Sequence, residues 1–568
     1  MSDAARNGRP DVPDWLACPQ CRALLYGKRL ARNLHVCHRC GHHLRLSARA
    51  RITQLVDPGS FTGMDAAQLD ADPLGFADHL PYRQRLTEAG TRSGEVEAAV
   101  AGTGSIAGLP VVLAVLDFSF LGGSMGTAVG EFVTAAAELA HDTRTPLLLV
   151  ASSGGARMQE GCLSLMQMVK TSQAIAALRE DGILCVCVLT DPTFGGVTAS
   201  FAMLGHVIVA ERGALVGFAG PRVIRETIRQ QLPPDFQSAD FLLRHGMADR
   251  VEHRAGLRPL LERLLRLHRP PDPVPAPRAG RPVIRSAAAL ARVDDPWTVV
   301  RAARHLDRPT TLDYLDLVFD DFCELHGDRC FGDDPAIVGG PARLGGRTVM
   351  VIGHQKGHDT RELVARNFGM AHPEGYRKAA RLMEHAASLR LPVVTLVDTP
   401  GAYPGVDAEQ RGQAMAVAEC IMRSARLPVP VVCVITGEGG SGGALALATA
   451  DRVLMLENAF YSVISPEGCA AILWRSREAA PEAARALRLT PGDLLRLGVV
   501  QAVVPEPAGG AHADVRVAAE NLRRAVLDAL DELTDVPAET LVKARHERFR
   551  GFGSRAPRPS PERVEEVA

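Results

Sequence analysis

The chain has 568 residues, 46% hydrophobic and 23% charged, and at about 150 residues per domain it divides into several folded units with buried cores. Its 64 basic and 65 acidic residues nearly cancel, which excludes a chain-wide electrostatic commitment to nucleic acid or membrane. The longest apolar runs, such as Ile183 to Leu189, fall far short of the ~20 residues of a membrane span, and the polar start MSDAARNGRPDVPDW lacks an apolar signal core, so a cytoplasmic protein without membrane contact is expected.

The first element is a cysteine constellation, Cys18-Pro-Gln-Cys21, fifteen intervening residues, then Cys37-His-Arg-Cys40. Two C-x2-C knuckles set four thiolates tetrahedrally, so residues 1–56 are read as an N-terminal tail and a zinc ribbon with one structural Zn2+ per chain. Four thiolates saturate such a site, and His35, His38, His42 and His43 are expected at the surface. The segment carries ten Arg/Lys against three acids, a basic surface that fits nucleic acid, a phosphate-bearing small ligand or plain solvation. The other eight cysteines stand singly, several inside apolar runs, and are expected in the core.

Residues 57–267 then alternate helix-like stretches with short apolar strands. A helix after Gly130 leads into the strand from Pro146, which ends at Gly154-Gly155-Ala156; a second strand from Ile183 ends at Gly195-Gly196. Residues 268–296, rich in proline, are expected to be a linker. Residues 297–550 repeat the pattern: a helix after Gly375, a strand from Pro392 ending at Gly401-Ala402, and a strand from Val429 followed by Gly442-Gly443. Gly130 to Gly155 is 25 positions against 26 from Gly375 to Gly401, and Gly155 to Gly195 is 40 against 41 from Gly401 to Gly442. Residues 551–568 are expected to be a polar tail, and of these 554–568 lie outside the residues the structure describes. Two alternating segments of this kind predict two α/β domains with largely parallel sheets.

Glycine at a strand-to-helix turn serves close packing or a positive φ. Two related turns per half also supply paired N–H donors for an oxyanion formed during reaction. No G-x-S-x-G elbow and no Walker A pattern occurs, which disfavours an acyl-enzyme hydrolase and excludes a P-loop ATPase.

Longer strings carry a resemblance. Gly122-GSMG, Ser153-GGARMQE, Leu189-TDPTFGGVTASFAMLG and Gly217-FAGPRVI, with the ribbon before them, resemble the β subunit of bacterial acetyl-CoA carboxylase carboxyltransferase. Ile337-VGGPARL, Pro373-EGYRKAARLM, Asp398-TPGAYPGVDAEQRGQ, Gly437-EGGSGGALAL and Tyr461-SVISPEGCAAILW resemble its α subunit. The resemblance implies a fusion of the two, with two crotonase-like (ClpP/crotonase type) domains after the ribbon. It implies transfer of the carboxyl group of carboxybiotin to acetyl-CoA, giving malonyl-CoA for fatty-acid synthesis.

By the family's pattern the thioester oxygen maps to Gly195 and Gly196 and the biotin ureido oxygen to Gly442 and Gly443, with Gly154, Gly155, Arg157 and Gly401 as further substrate-binding candidates. Arg157 is read equally as an anion holder or a structural pair, Ser124 as a helix cap over a CoA contact by Gly122-Gly123-Ser124, Glu438 and Glu467 as capping or solvated over bases of the enoyl-CoA hydratase kind, and Tyr403 and Tyr461 as wall. The implied assembly is a homodimer equivalent to α2β2. None of the five lysines stands in a Met-Lys hairpin, so biotin is expected on a separate biotin carboxyl carrier protein charged by a separate biotin carboxylase. An enoyl-CoA hydratase or isomerase on the same fold, and a nucleic-acid module led by the ribbon, are the competing readings; neither accounts for the strings in both halves.

Overall fold

The computed structural model describes residues 15–65, 72–227, 229, 231–269, 283–290 and 293–553. They fall into two compact units, one drawn from Met1–Arg269 with Leu325–Asp333 and the other from Pro270–Glu324 with Asp334–Ala568.

In the first unit β1 (Trp15–Ala17) and β2 (Leu24–Tyr26) form the antiparallel hairpin of the ribbon. The main sheet runs β3 (Thr62–Gly63), β4 (Ala99–Ile106), β5 (Leu109–Leu116), β6 (Leu147–Ser153), β7 (Cys185–Thr193), β8 (Val207–Glu211) and β9 (Arg250–Glu252) in that spatial order. Strands β3 to β5 pair antiparallel, and every pair from β5 to β9 is parallel. Leu147 to Ser153 is buried at every position, as a strand covered on both faces requires, which is why it reads as a continuous apolar run rather than an alternating one. The helix Thr127–Asp142 lays Val129, Phe132, Val133, Ala136 and Ala140 into the same core at helical spacing.

The second unit repeats the scheme with β10 (Asp321–Phe322), β11 (Ile337–Leu344), β12 (Arg347–His354), β13 (Val393–Thr399), β14 (Val431–Gly440), β15 (Arg452–Leu456) and β17 (Ala502–Val504) in spatial order, β16 (Phe460–Ser462) adding to the end of β14. Again the first strands are antiparallel and the rest parallel.

The units divide the chain differently from the sequence in three places. The ribbon clusters with the first unit, and so does Leu325–Asp333. There Asp328 Oδ1 accepts from the N–H groups of Cys330, Phe331 and Gly332, and Arg329 pairs with the fully buried Asp249. The described part of 283–296 is folded: Ile284 bridges to Val503, and the helix Pro296–Ala303 is capped by Asp295. Of the single cysteines six are buried, but Cys162 and Cys330 are exposed. Among the described residues no helix is long and apolar enough to cross a membrane.

Candidate active site

At the end of β6 the chain turns through Gly154, Gly155 and Ala156. The Gly154 N–H donates to Gly122 O (2.8 Å) and the Gly155 N–H to Ser153 Oγ (3.0 Å), while the Ala156 N–H has no acceptor among the described residues. Facing it, β7 ends and the short helix Gly195–Thr198 begins. Gly195 is left-handed (φ +62°), a conformation that suits glycine, and its N–H is taken by Phe218 O at 2.8 Å. Gly196, one residue into the helix, has no intrahelical acceptor. A Cβ built on Gly196 would stand 3.6 Å from Ala156 N, so the two free amides are neighbours.

The second unit builds the same turn. Gly401 (φ +150°) donates to Thr399 Oγ1 at 3.1 Å, and Ala402 N–H is the one left over among the described residues. Across from it the helix Ser441–Ala448 opens with Ser441, left-handed at φ +54°, so Gly442 takes the place of Gly196. Gly443 then corresponds to Val197, and the expected one-to-one match of glycine pairs is shifted by one residue. Counted this way the spacings agree: Gly155 to Gly195 and Gly401 to Ser441 are both 40, and the helix start Thr127 or Pro373 to the turn glycine is 28 in both units. Matching glycine to glycine produces both one-residue discrepancies in the sequence spacing. The open amides of Ala156 and Ala402 follow a Gly-Ala step after the strand in both halves.

A compensating exchange accompanies the turns. A Cβ on Gly443 would lie 2.5 Å from Ala402 N and 2.6 Å from Tyr376 Oη. Tyr376 is fully buried, its hydroxyl has no partner among the described residues, and it stands where the first unit has Gly130. The first unit thus carries Val197 with Gly130, and the second Gly443 with Tyr376.

Arg157 lies under the first turn with its side chain wholly buried. It donates to both oxygens of Glu97 (2.5 and 2.7 Å), to Tyr82 Oη (3.1 Å), and to Ser124 Oγ and O (3.1 and 2.8 Å). Burial alone would lower its pKa, but the Glu97 carboxylate outweighs burial and raises it. Ser124 serves as an acceptor for Arg157; the N-cap of the helix Thr127–Asp142 is Gly126. These bonds hold the Gly122–Ser124 and Gly154–Ala156 segments together.

In the second unit a cavity of about 310 Å³ opens over the strand ends, lined by Arg304, His305, Lys356, Phe368, Asp398 and Glu438 among others. Lys356 Nζ pairs with Asp398 Oδ1 (2.8 Å) and Glu438 Oε2 (2.7 Å), and Arg304 binds Glu438 (2.7 Å) and Glu467 (2.5 Å). Burial pushes the Glu438 pKa up, yet Lys356 and Arg304 more than reverse this and hold it below the ordinary carboxylate value. Glu438 is therefore an ionised pairing group and a poor base, buried rather than solvated as expected. Tyr403 packs its ring against His372 at 4.5 Å.

The ribbon cysteines come together as expected. All four Sγ atoms lie within 4.8 Å of one another, with Cys18 to Cys40 at 3.7 Å and Cys21 to Cys37 at 3.8 Å. Tetrahedral Zn–S bonds of about 2.3 Å place sulfurs about 3.8 Å apart, so the donor set fits zinc. Each knuckle closes on a left-handed residue four past its first cysteine, Arg22 and Gly41, whose N–H groups return to Cys18 O and Cys37 O (both 2.9 Å). His43 is buried, contrary to expectation. Its Nδ1 meets Glu211 Oε1 at 2.9 Å beside Arg51 and Arg254, and Arg254 donates to Leu34 O (2.8 Å), tying the ribbon to β8. We expect one Zn2+ per purified chain by metal analysis and loss of the metal with ribbon unfolding in Cys37→Ala; active protein without zinc would refute the site.

Comparison with known proteins identifies the family. Residues 287–553 match the family described as acetyl co-enzyme A carboxylase carboxyltransferase-like, residues 43–233 the carboxyl transferase domain, and residues 15–40 the acetyl-CoA carboxylase zinc finger domain. The acetyl-coenzyme A carboxylase carboxyl transferase subunits beta/alpha of Salinispora arenicola is 61% identical over 545 residues, 95% of this chain and 96% of its own. The α subunit of the same enzyme from Thermus thermophilus is 62% identical over 259 residues, 46% of this chain and 82% of its own. Among solved structures, transcarboxylase 12S with methylmalonyl-coenzyme A bound shares the fold at a TM-score of 0.67 and 23% identity, over 89% of this chain and 92% of that one. The chain belongs to the acetyl-CoA carboxylase carboxyltransferase family, with the β and α subunits fused in one polypeptide.

Proposed function

We propose that the chain moves the carboxyl group of carboxybiotin to acetyl-CoA, and that two pairs of backbone amides carry the step. The observation behind this reading is the repeated pair of unclaimed N–H groups, Ala156 with Gly196 and Ala402 with Gly442. Loss of CO2 from carboxybiotin leaves negative charge on the ureido system, which takes the α-proton of the acetyl group; the resulting enolate bonds to CO2. Ala156 and Gly196 donate to the thioester oxygen as it gains charge, and Ala402 and Gly442 to the ureido oxygen. Each pair contributes about 3 to 4 kcal/mol to the transition state, the scale set by losing one such donor. Gly195 and Gly443 shape the turns, Gly154, Gly155 and Gly401 set the amide that follows them, and Arg157 positions the first turn without touching substrate.

The test runs the reaction in reverse, with malonyl-CoA as carboxyl donor and free biotin as acceptor; acetyl-CoA formation strictly dependent on biotin is expected, and its absence would refute the reading. Forward synthesis from ATP, bicarbonate and acetyl-CoA should need an added biotin carboxyl carrier protein and biotin carboxylase. A streptavidin blot of the chain expressed with biotin ligase should be blank. Malonyl-CoA formed by the chain alone would overturn this division of labour. We propose that this work takes place in the cytoplasm and supplies fatty-acid synthesis.

The assembly we propose is a homodimer with two-fold symmetry, equivalent to α2β2, in which the acyl-CoA turn of one copy meets the biotin turn of the other. Exposed apolar side chains in both units support it: Phe218 is 75% exposed and its counterpart Val463 73%, with Leu165, Met166, Met415 and Met422 open on the helices that follow the turns. Sedimentation should give twice the chain mass; a fully active monomer would count against it.

A further inference from the structure

We propose that Lys356 is a positioning residue for carboxyl transfer, tying the ends of β12, β13 and β14 so that the Ala402 and Gly442 amides keep their mutual spacing. The inference rests on reading those amides as an oxyanion pair. Both units bulge at the same point: β6 advances from Ala151 to Ser153 while β7 advances from Leu189 to Thr193, and β13 from Val397 to Thr399 while β14 goes from Ile435 to Gly439. The bulge turns the chain toward the helix that carries the second amide.

The two units secure it with different chemistry. In the first unit the bulge holds Pro192, which has no N–H, opposite Ser152, whose Oγ donates to Asp191 O at 3.2 Å. In the second unit the same register positions are Glu438 and Asp398, and the Glu438 N–H donates to Asp398 Oδ1 at 2.8 Å. That solution places two carboxylates side by side in a buried site. Lys356, two residues beyond β12 and matching Phe118 of the first unit, lies between them at 2.7 and 2.8 Å.

The path from this pair to the amides is short. Thr399, next to Asp398, holds Gly401, and Gly442 lies four residues past Glu438. Arg304 grips only Glu438, from the far side and shared with Glu467. Without Lys356 the Asp398 carboxylate loses its ion-pair partner, the nearby Arg308 being held by Glu506 and Thr436 O, so the two acids repel and the bulge opens between the two amides.

The test measures carboxyl transfer from malonyl-CoA to free biotin by the full chain carrying Lys356→Met, Lys356→Arg or Gly442→Val. A displacement of about 1 Å at a reacting centre costs about 100-fold, so Lys356→Met should lose kcat on that order with KM for malonyl-CoA within about twofold. Lys356→Arg, which keeps the charge, should restore most of the rate. Should Lys356→Met fail to fold, Asp398→Asn retains an acceptor for the Glu438 N–H but removes the charge pair, and should lose about 10-fold in kcat at constant KM. Near-normal kcat in the folded neutral variant, a KM effect without a kcat effect, or failure of arginine to rescue overturns the role of Lys356 while an inactive Gly442→Val leaves the amide reading standing. Near-normal turnover in Gly442→Val overturns that reading and this inference with it.

Discussion

Gly442→Val is expected to fold, retain zinc, and lose at least about 100-fold in carboxyl transfer. A Cβ at this position meets nothing closer than Val417 Cγ1 at 3.8 Å, so the backbone accepts a side chain there, beside the free amide of its own residue. Gly195 does not allow so clean a test: it sits at φ +62°, and a Cβ there would lie 3.0 Å from Gly155 Cα, so valine strains the backbone itself. On the acyl-CoA side Gly196→Val is the better variant, since its nearest obstacle is the flexible Met168 Sδ at 3.3 Å. Normal turnover with unaltered circular dichroism in Gly442→Val would mean that the oxyanion binds elsewhere.

Arg157→Met is expected to have the largest effect on stability. The substitution leaves the buried carboxylates of Glu97 and Glu160 without their cation and removes the donors that hold Ser124. Breaking a buried pair from one side costs about 3 to 5 kcal/mol. In a unit of this size that lowers the melting temperature by roughly 6 to 20 °C. Differential scanning calorimetry checks it, and a shift under about 2 °C would show that Arg157 is dispensable to the fold, reopening a direct role with substrate.

The repeat, the ribbon and the family strings were legible in the sequence because each is written in residue type. A Cys-x-x-Cys spacing or a buried strand is a property of side chains, and local sequence carries it. The proposed oxyanion donors are not. An N–H is present at nearly every residue, and which one stays free depends on who claims its neighbours: Ser153 takes Gly155, Phe218 takes Gly195, and so the amides left open are those of Ala156 and Gly196. Glycine marked the neighbourhood and not the donor. Arg304 and Glu438 stand 134 residues apart, and their pairing follows from sheet order that no local pattern encodes. His43 looked like one more polar residue of a basic ribbon, and only Glu211 on β8 explains its burial.

The different filling of the two turns decides whether a residue of one half can stand in the other. Valine at 443 in the present protein would collide with Ala402 N and Tyr376 Oη, and a side chain at 130 would strike Gln167, whose Oε1 lies 2.2 Å from the Cβ position. Gly443 is thus matched to Tyr376 in the second unit, and Gly130 to Gln167 in the first. A graft that moves a single residue from one turn to its counterpart is therefore expected to give an ill-packed turn, so the two turns are interchangeable only together with the side chains that face them.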